Sequence, residues 1–544
     1  MDKKIDKLIE LCGTKNKYQF ILLVISLMAW INNMMVSVTL PILEQTPDVI
    51  YKNKYGQLVN GKLDYEICEL SYKITKKIPY SWVSDFNISC DKLKVGFIGT
   101  INFLGSFLGS ITFNLVVDNL GRKNTVIFSL IFYLMINTTI LFFNDYYIVL
   151  FLNFFLELCG CYPNYSLLLM TEEITHLDYR GYFGTIINAG YSACALVYFP
   201  LYFYLNSWKK VFVVNSVIAF FILMSFILYG RESPRFLISK GEINSAINIL
   251  EDIAKFHNIE KEFKEKIQSE EYKSIIIELN EISMRKNEQK YILENLEEPL
   301  LQNENNNKKY RNNEDYNWFT LIKYPSIRYK FLILCFLGFC ISGSYNGVSI
   351  SIKNLPGNVF FTGVIFYFFE VVICVVCGYI INIPNFGRKG TILTFYLICF
   401  FSFITFLLFN VTDFGKISIV FVCKLTISGI FDILYTYFLE NYPTSIRAIG
   451  FGINTSFDNI GGAVFPIIIE ILNEKELFSL LAFLNAIQFF LMLFMPETCG
   501  VELPETILEV EEEKKNRKKS FLSNSNYNKD FESFGITDYK TMDE

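Results

Sequence analysis

Apolar runs long enough to cross a lipid bilayer recur along nearly the whole sequence, and no other feature restricts the fold as severely. A spanning helix needs about 17–25 predominantly apolar residues. Twelve runs meet that need, near 20–40, 95–117, 125–144, 147–171, 181–205, 209–229, 329–352, 358–383, 390–411, 416–440, 446–472 and 476–496. Inside hydrocarbon every backbone polar group must find its partner within the protein, so runs of this length fold as helices. Composition agrees: 52% of the 544 residues are hydrophobic and 54 are Phe, more than a soluble core requires.

Charge orients the runs. The leader carries Lys3, Lys4, Lys7, Lys15 and Lys17, which places it in the cytoplasm by the positive-inside tendency. Phe20 to Leu40 lacks small cleavage residues and reads as the first span, not a removable leader. The loop 44–94 then faces outside, with a glycosylation acceptor at Asn87-Ile88-Ser89. Cys68 and Cys90 in that loop either form a disulfide or remain two free thiols. Residues 230–328 turn charged and include an amphipathic helix at Glu242–His257, with Ile243, Ala246, Ile247, Leu250, Ile253 and Ala254 on one face. Polar low-complexity sequence follows from Asn303. The expected division is a first membrane half at 1–229, a cytosolic linker at 230–328, a second half at 329–496 and a cytosolic tail at 497–544.

Several function classes fall away. A formal net charge of −5 without a basic footprint argues against nucleic acid. Two histidines, His176 and His257, leave little room for a zinc site or a His-dependent triad, and there is no nucleophile elbow or phosphate loop. No metal, cofactor or enzyme activity is expected.

Two loops repeat. The turn between spans two and three reads Asp118-Asn-Leu-Gly121-Arg122-Lys123, and that between spans eight and nine reads Asn385-Phe-Gly387-Arg388-Lys389-Gly390. Glu173, Arg180 and Gly184 likewise match Glu440, Arg447 and Gly450. Equal placement in two sets of six spans argues for the internal repeats of a transporter. The expected fold class is therefore an all-α membrane protein, twelve transmembrane helices in two six-helix pseudo-symmetric halves.

With these loops, the Arg231-Glu-Ser-Pro-Arg235-Phe-Leu run, Asn346-Gly, Leu355-Pro-Gly-Asn358, Glu440-Asn-Tyr-Pro-Thr and Pro496-Glu-Thr, the chain resembles the major facilitator superfamily, and within it the organic cation/anion transporter family. Sugar porters share some of these runs, but the long first outer loop and Leu355-Pro-Gly-Asn358 favour the organic-ion branch, and span seven lacks their paired Gln motif. The resemblance implies two halves rocking about a central site. It also implies a cytoplasmic gate built from Asp118, Gly121, Arg122, Glu173, Arg180, Arg231, Arg235, Arg388, Glu440 and Arg447, whose ion pairs hold the outward-facing state. Two departures stand out: Pro384 replaces the counterpart of Asp118, and span four starts Asn153-Phe where relatives usually have Arg-Phe.

Substrate charge rests on buried ionisable groups. Asn454, Asp458 and Asn459 lie two to three turns inside an otherwise apolar run, where an unpaired charge is costly unless it faces protein or a water-filled cavity. Asn459 resembles the position that reads substrate charge in relatives, and Asp458 is rotated from it by about 100°. Glu157, Glu370, Asp432 and Asp458 outnumber Lys424, which favours a cation. Lys424 and Asp432 share a helix face without touching, so each needs another partner. Glu157 and Glu370 serve either substrate contact or helix pairing. Tyr345 and Asn346 resemble substrate-facing residues of span seven, and a tyrosine ring can hold an organic cation; Asn188, Tyr162 and Tyr165 are weaker candidates. The expected protein is a monomeric carrier of small organic cations or zwitterions, in the plasma membrane rather than the vacuole, with a coupling ion left open. The alternatives are an organic anion or sugar carrier, and a non-transporting sensor, against which the two intact loops argue.

Overall fold

The computed structural model describes residues 2–279 and 318–499, apart from 14–16, 53–56, 64, 77, 176–182, 185, 382, 384–385, 410 and 444–445. The Asn-rich segment, the tail beyond residue 499, Arg180 and Pro384 lie outside the described residues.

Among the described residues twelve long helices follow in order. The first six are α1 (Lys17–Leu43, interrupted at Met34), α2 (Lys92–Leu120), α3 (Arg122–Ile140), α4 (Tyr146–Ile174), α5 (Gly190–Leu205) and α6 (Trp208–Tyr229). The second six are α7 (Pro325–Ser351), α8 (Val359–Ile380), α9 (Gly387–Leu408), α10 (Asp413–Glu440), α11 (Arg447–Ile471) and α12 (Glu474–Leu493). Eleven are long and apolar enough to cross a membrane by length and composition among the described residues. The twelfth, α11, carries Asn454, Asp458, Asn459 and Glu470, which dilute its apolar character. Phe132, Phe151, Phe221 and Phe401 are each more than half exposed around the bundle, as a lipid-facing surface requires.

Glycines decide how the bundle closes. A Cβ at Gly105 would lie 2.4 Å from the Phe154 carbonyl, and one at Gly109 would lie 3.1 Å from that of Leu158, so the Gly105/Gly109 pair seats α2 on α4. Gly96 and Gly99, nearer the outer end of α2, instead face Pro466 and Ile467 of α11. One helix thus packs on its own half with one glycine pair and on the other half with the next. Phe199 against Gly363 makes the matching contact between α5 and α8.

Outside the bundle, β1 (Asp48–Lys52), β2 (Leu58–Lys62) and β3 (Tyr72–Lys76) form an antiparallel sheet in the order β2-β1-β3. Cys68 and Cys90 are joined by a disulfide, and Trp82 and Phe86 pack on Trp208 of α6. At the inner end the leader helix Asp2–Glu10 and the helices Pro234–Lys240, Ile243–Phe256 and Glu260–Ile267 share one apolar cluster with α1, α3, α4 and α6. Ile243, Ala246, Leu250, Ile253 and Ala254 are the buried stripe of the amphipathic helix.

Candidate functional site

Where the two halves meet at mid-depth, polar side chains from eight helices surround a cavity of about 140 Å³. A single water needs roughly 10–15 Å³ measured this way, so the space has room for several waters beside its polar wall. Asp458, Asn459, Asp432, Glu370, Asn188 and Tyr345 all line it, as does Asn346. The rotation between Asp458 and Asn459 does not separate them, because the cavity is wide enough to take both sides of that arc of α11.

Asp458 is 5% exposed and accepts a hydrogen bond from Tyr435 at 2.6 Å. Its Oδ1 has no hydrogen-bond partner among the described residues. Asn459 donates to the Thr455 carbonyl at 3.1 Å and reaches Ser110 of the first half at 3.5 Å. Asn346 donates to the Ser342 carbonyl at 3.0 Å.

Lys424 differs from the expectation of substrate contact. It is fully buried and does not line the cavity. Its Nζ lies 3.0 Å from Glu370 Oε2 and 2.7 Å from Ser349 Oγ, and 3.3 Å from the centre of the Tyr345 ring. Glu370 in turn accepts from Tyr345 at 2.7 Å and from Ser192 of the first half at 2.8 Å. An ammonium in this interior needs a carboxylate beside it, and Glu370 supplies one. The partner that Lys424 required is therefore on α8 and not Asp432.

A second polar cluster closes the outer end, and nothing local in the sequence marks it. Lys353, in the turn after α7, lies 2.8 Å from Glu44 at the end of α1 and also pairs with Glu470 of α11. Tyr65 of the outer loop donates to Glu470 at 3.0 Å. Burial pushes the Glu44 carboxyl above the ordinary carboxylate range, against the attraction of Lys353. Thr100 of α2 also donates to the Ala463 carbonyl of α11 at 2.6 Å. These bonds and the glycine contacts above join the two halves at the end that carries Glu44 and Lys353.

The inner loops form pairs within each half. Arg122 lies 3.4 Å from both Asp118 and Glu173, and Arg388 lies 2.8 Å from Glu440. Arg235 donates to the Glu173 carbonyl at 3.0 Å and pairs with Asp6. Arg231 approaches Asp252 only to 3.8 Å at the surface, and Arg447 donates to the Tyr442 carbonyl at 3.4 Å.

Two further carboxylates lie at the same turns. Gly121 and Gly387 have positive φ, 85° and 59°, and open the backbone before α3 and α9. Glu232 accepts from the amides of Arg122 and Lys123 at 3.1 and 3.0 Å, and Glu497 from those of Arg388 and Lys389 at 3.0 and 2.9 Å. Each caps a helix N-terminus at equivalent places in the two halves. Both lie in runs quoted above, Arg231-Glu-Ser-Pro and Pro496-Glu-Thr, and the glutamate in each was the available signal. The departure at Asn153 also has a partner: it donates to Asn102 at 3.1 Å, and Asn102 donates to Ser37 at 2.7 Å.

The Major Facilitator Superfamily family model matches residues 22–466. Among curated proteins, a solute carrier family 22 member 15-like protein of Xenopus laevis is 24% identical over 79% of this chain and 82% of its own. Organic cation transporter 1 of Caenorhabditis elegans is 26% identical over 79% and 69%. Organic cation/carnitine transporter 4 of Arabidopsis thaliana is 22% identical over 93% and 91%. Among solved structures, the xylose transporter XylE from E. coli in an inward-open conformation superposes with a TM-score of 0.59 at 12% identity, over 89% of this chain and 97% of that one.

Proposed function

The chain belongs to the Major Facilitator Superfamily and is a multi-pass membrane transporter, and from that premise we propose that it carries small organic cations across the membrane by alternating access. The observation that carries this reading is the charge balance of the central cavity. Glu370 and Lys424 neutralise each other, which leaves Asp458 and Asp432 in the wall with no cationic partner described. A cavity with two uncompensated carboxylates and the rings of Tyr165, Tyr191, Tyr345 and Tyr435 attracts a cation and offers it π faces. The names of the C. elegans and A. thaliana relatives point the same way.

The closed outer end and the pairs confined to each half describe a carrier whose outer gate is shut. In the opposite state Lys353 would release Glu44, and the inner ends would approach.

The test is uptake of labelled tetraethylammonium, an aromatic carboxylate and glucose by cells expressing the chain at their surface. Tetraethylammonium alone should enter. Asp458→Asn should reduce its uptake at least tenfold at equal surface expression, since a charge-assisted contact contributes about 1.5–3 kcal/mol. Entry of the carboxylate or glucose in its place, or full uptake by the Asp458→Asn chain, would overturn the reading.

A further inference from the structure

Glu157 is an acid that the account above leaves without a task. It lies at mid-depth on α4, is 2% exposed, and the hydrogen bond it accepts from Ser106 is a long 3.4 Å. Tyr133 of α3, with Tyr191 and Cys194 of α5, stands within electrostatic reach of it. On its own helix Asn153 and Cys161 lie one turn to either side and Tyr165 two turns on, while α1 contributes Asn33 nearby, bonded to Gly160 and Asn164. None of these groups is a cation. A carboxylate there would stand in low dielectric with one weak donor, so its charge is costly and a proton on it would relieve that cost.

Its position ties that proton to the cavity. Ser106 and Cys161 line the cavity, so Glu157 stands one side chain behind the wall. Tyr165 stands near both Glu157 and Asp458, and Tyr191 near both Glu157 and Glu370. A proton on Glu157 and a cation at Asp458 each add one positive charge to the same poorly screened region. Each therefore weakens the other, and by linkage the effect is reciprocal.

We propose that Glu157 is a proton-exchange site and that each organic cation taken up leaves in its place the proton that Glu157 carried. The inference rests on the cation reading above. When the cation enters, the O–H bond of Glu157 breaks and the proton passes by way of Ser106 to cavity water. The carboxylate left behind is compensated by the cation. On the return step the carboxylate takes a proton from the side where the cation was released. One positive charge moves each way, so the cycle is electroneutral.

The experiment uses the full chain in liposomes with labelled tetraethylammonium, external pH fixed and the interior made acidic or left equal. An acidic interior should raise initial uptake several-fold, and clamping the membrane potential with valinomycin should leave that uptake unchanged. Glu157→Gln should lose the stimulation while still exchanging labelled for unlabelled cation at equal pH, and Glu157→Asp should regain part of it. Wild-type uptake indifferent to interior pH, or a Glu157→Gln chain stimulated as strongly as wild type, would overturn the proposal. Should Glu157→Gln not reach the membrane, cation entry into wild-type liposomes must withdraw protons from the interior, so that a trapped pH dye reports alkalinisation, and entry without alkalinisation is equally decisive against it. Failure of wild type to exchange cation even at equal pH would remove the cation reading itself, and this proposal with it.

Discussion

Lys353 Nζ lies 2.8 Å from Glu44 Oε2, and that contact joins the outer end of the second half to the outer end of the first. Lys353 also holds Glu470. Replacing the lysine by methionine keeps most of its stem but leaves two carboxylates facing each other, so the outer mouth should open more often. Labelling of cavity-lining Cys374 by a membrane-impermeant thiol reagent added outside should rise several-fold in Lys353→Met, with Cys374→Ser as the control. Unchanged labelling would assign outer closure to the packing of α2 on α11 alone.

External pH reaches the same lock through Glu44. Its carboxyl sits above the ordinary range because burial disfavours the charge, so it takes up a proton at a higher pH than an exposed glutamate. The attraction to Lys353 is therefore present at alkaline pH and lost as pH falls through the raised value. Acidifying the outside should increase external labelling of Cys374 in wild type, and Glu44→Gln should show high labelling that no longer responds to pH. External pH is held constant in the proton-exchange experiment for this reason.

The latch glutamates predict a stability effect in duplicate. Glu232 and Glu497 cap α3 and α9 through pairs of backbone amides, and losing such a cap costs about 1 kcal/mol. Glu232→Gln and Glu497→Gln should each lower the melting midpoint of the solubilised protein by a few degrees. The two sites share no partner, so the double variant should show the sum. A much larger loss from the pair would indicate that the two inner loops act together.

Asn87 is exposed in the outer loop, in the left-handed region at φ 53°, three residues before the disulfide at Cys90. Glycosidase treatment of the protein from a glycosylating host should increase its gel mobility, and Asn87→Gln should abolish that shift. Absence of any shift would argue against placing this loop outside.

The helices were legible because a run such as Trp208 to Tyr229 has only one way to satisfy its backbone in lipid. The inner turns were legible because Gly121 and Gly387 sit before a basic pair in both halves. Asp458 was legible because a charge inside an apolar run demands an explanation. What could not be read were the pairings between distant helices. Lys353 is 309 residues from Glu44 and next to a loop, so nothing near it distinguishes a buried lock from a surface lysine. Lys424 was recognised as a base in need of a partner, but the choice among four acids depends on how α8 and α10 are rotated against each other. Glu232 and Glu497 lay in quoted runs, yet their role appears only once the chain folds each back onto a helix start.

Lys424 and Glu370 make the most discriminating pair to mutate. Lys424→Met leaves the Glu370 carboxylate uncompensated in the membrane interior, and Glu370→Gln does the same to the ammonium; either should destabilise by about 3–5 kcal/mol. The double variant removes both charges and should recover most of that loss, giving a large coupling between the two sites when midpoints are compared. Transport by the double variant then separates two roles for Glu370. With the pair gone, Asp458 and Asp432 still line the cavity, so a chain in which Glu370 serves only to hold Lys424 and Tyr345 in place keeps tetraethylammonium uptake. A chain in which Glu370 itself receives the cation folds as well as the other but loses uptake. The cavity's charge balance favours the first outcome, because Glu370 is already occupied by Lys424 at 3.0 Å while Asp458 Oδ1 has no hydrogen-bond partner among the described residues.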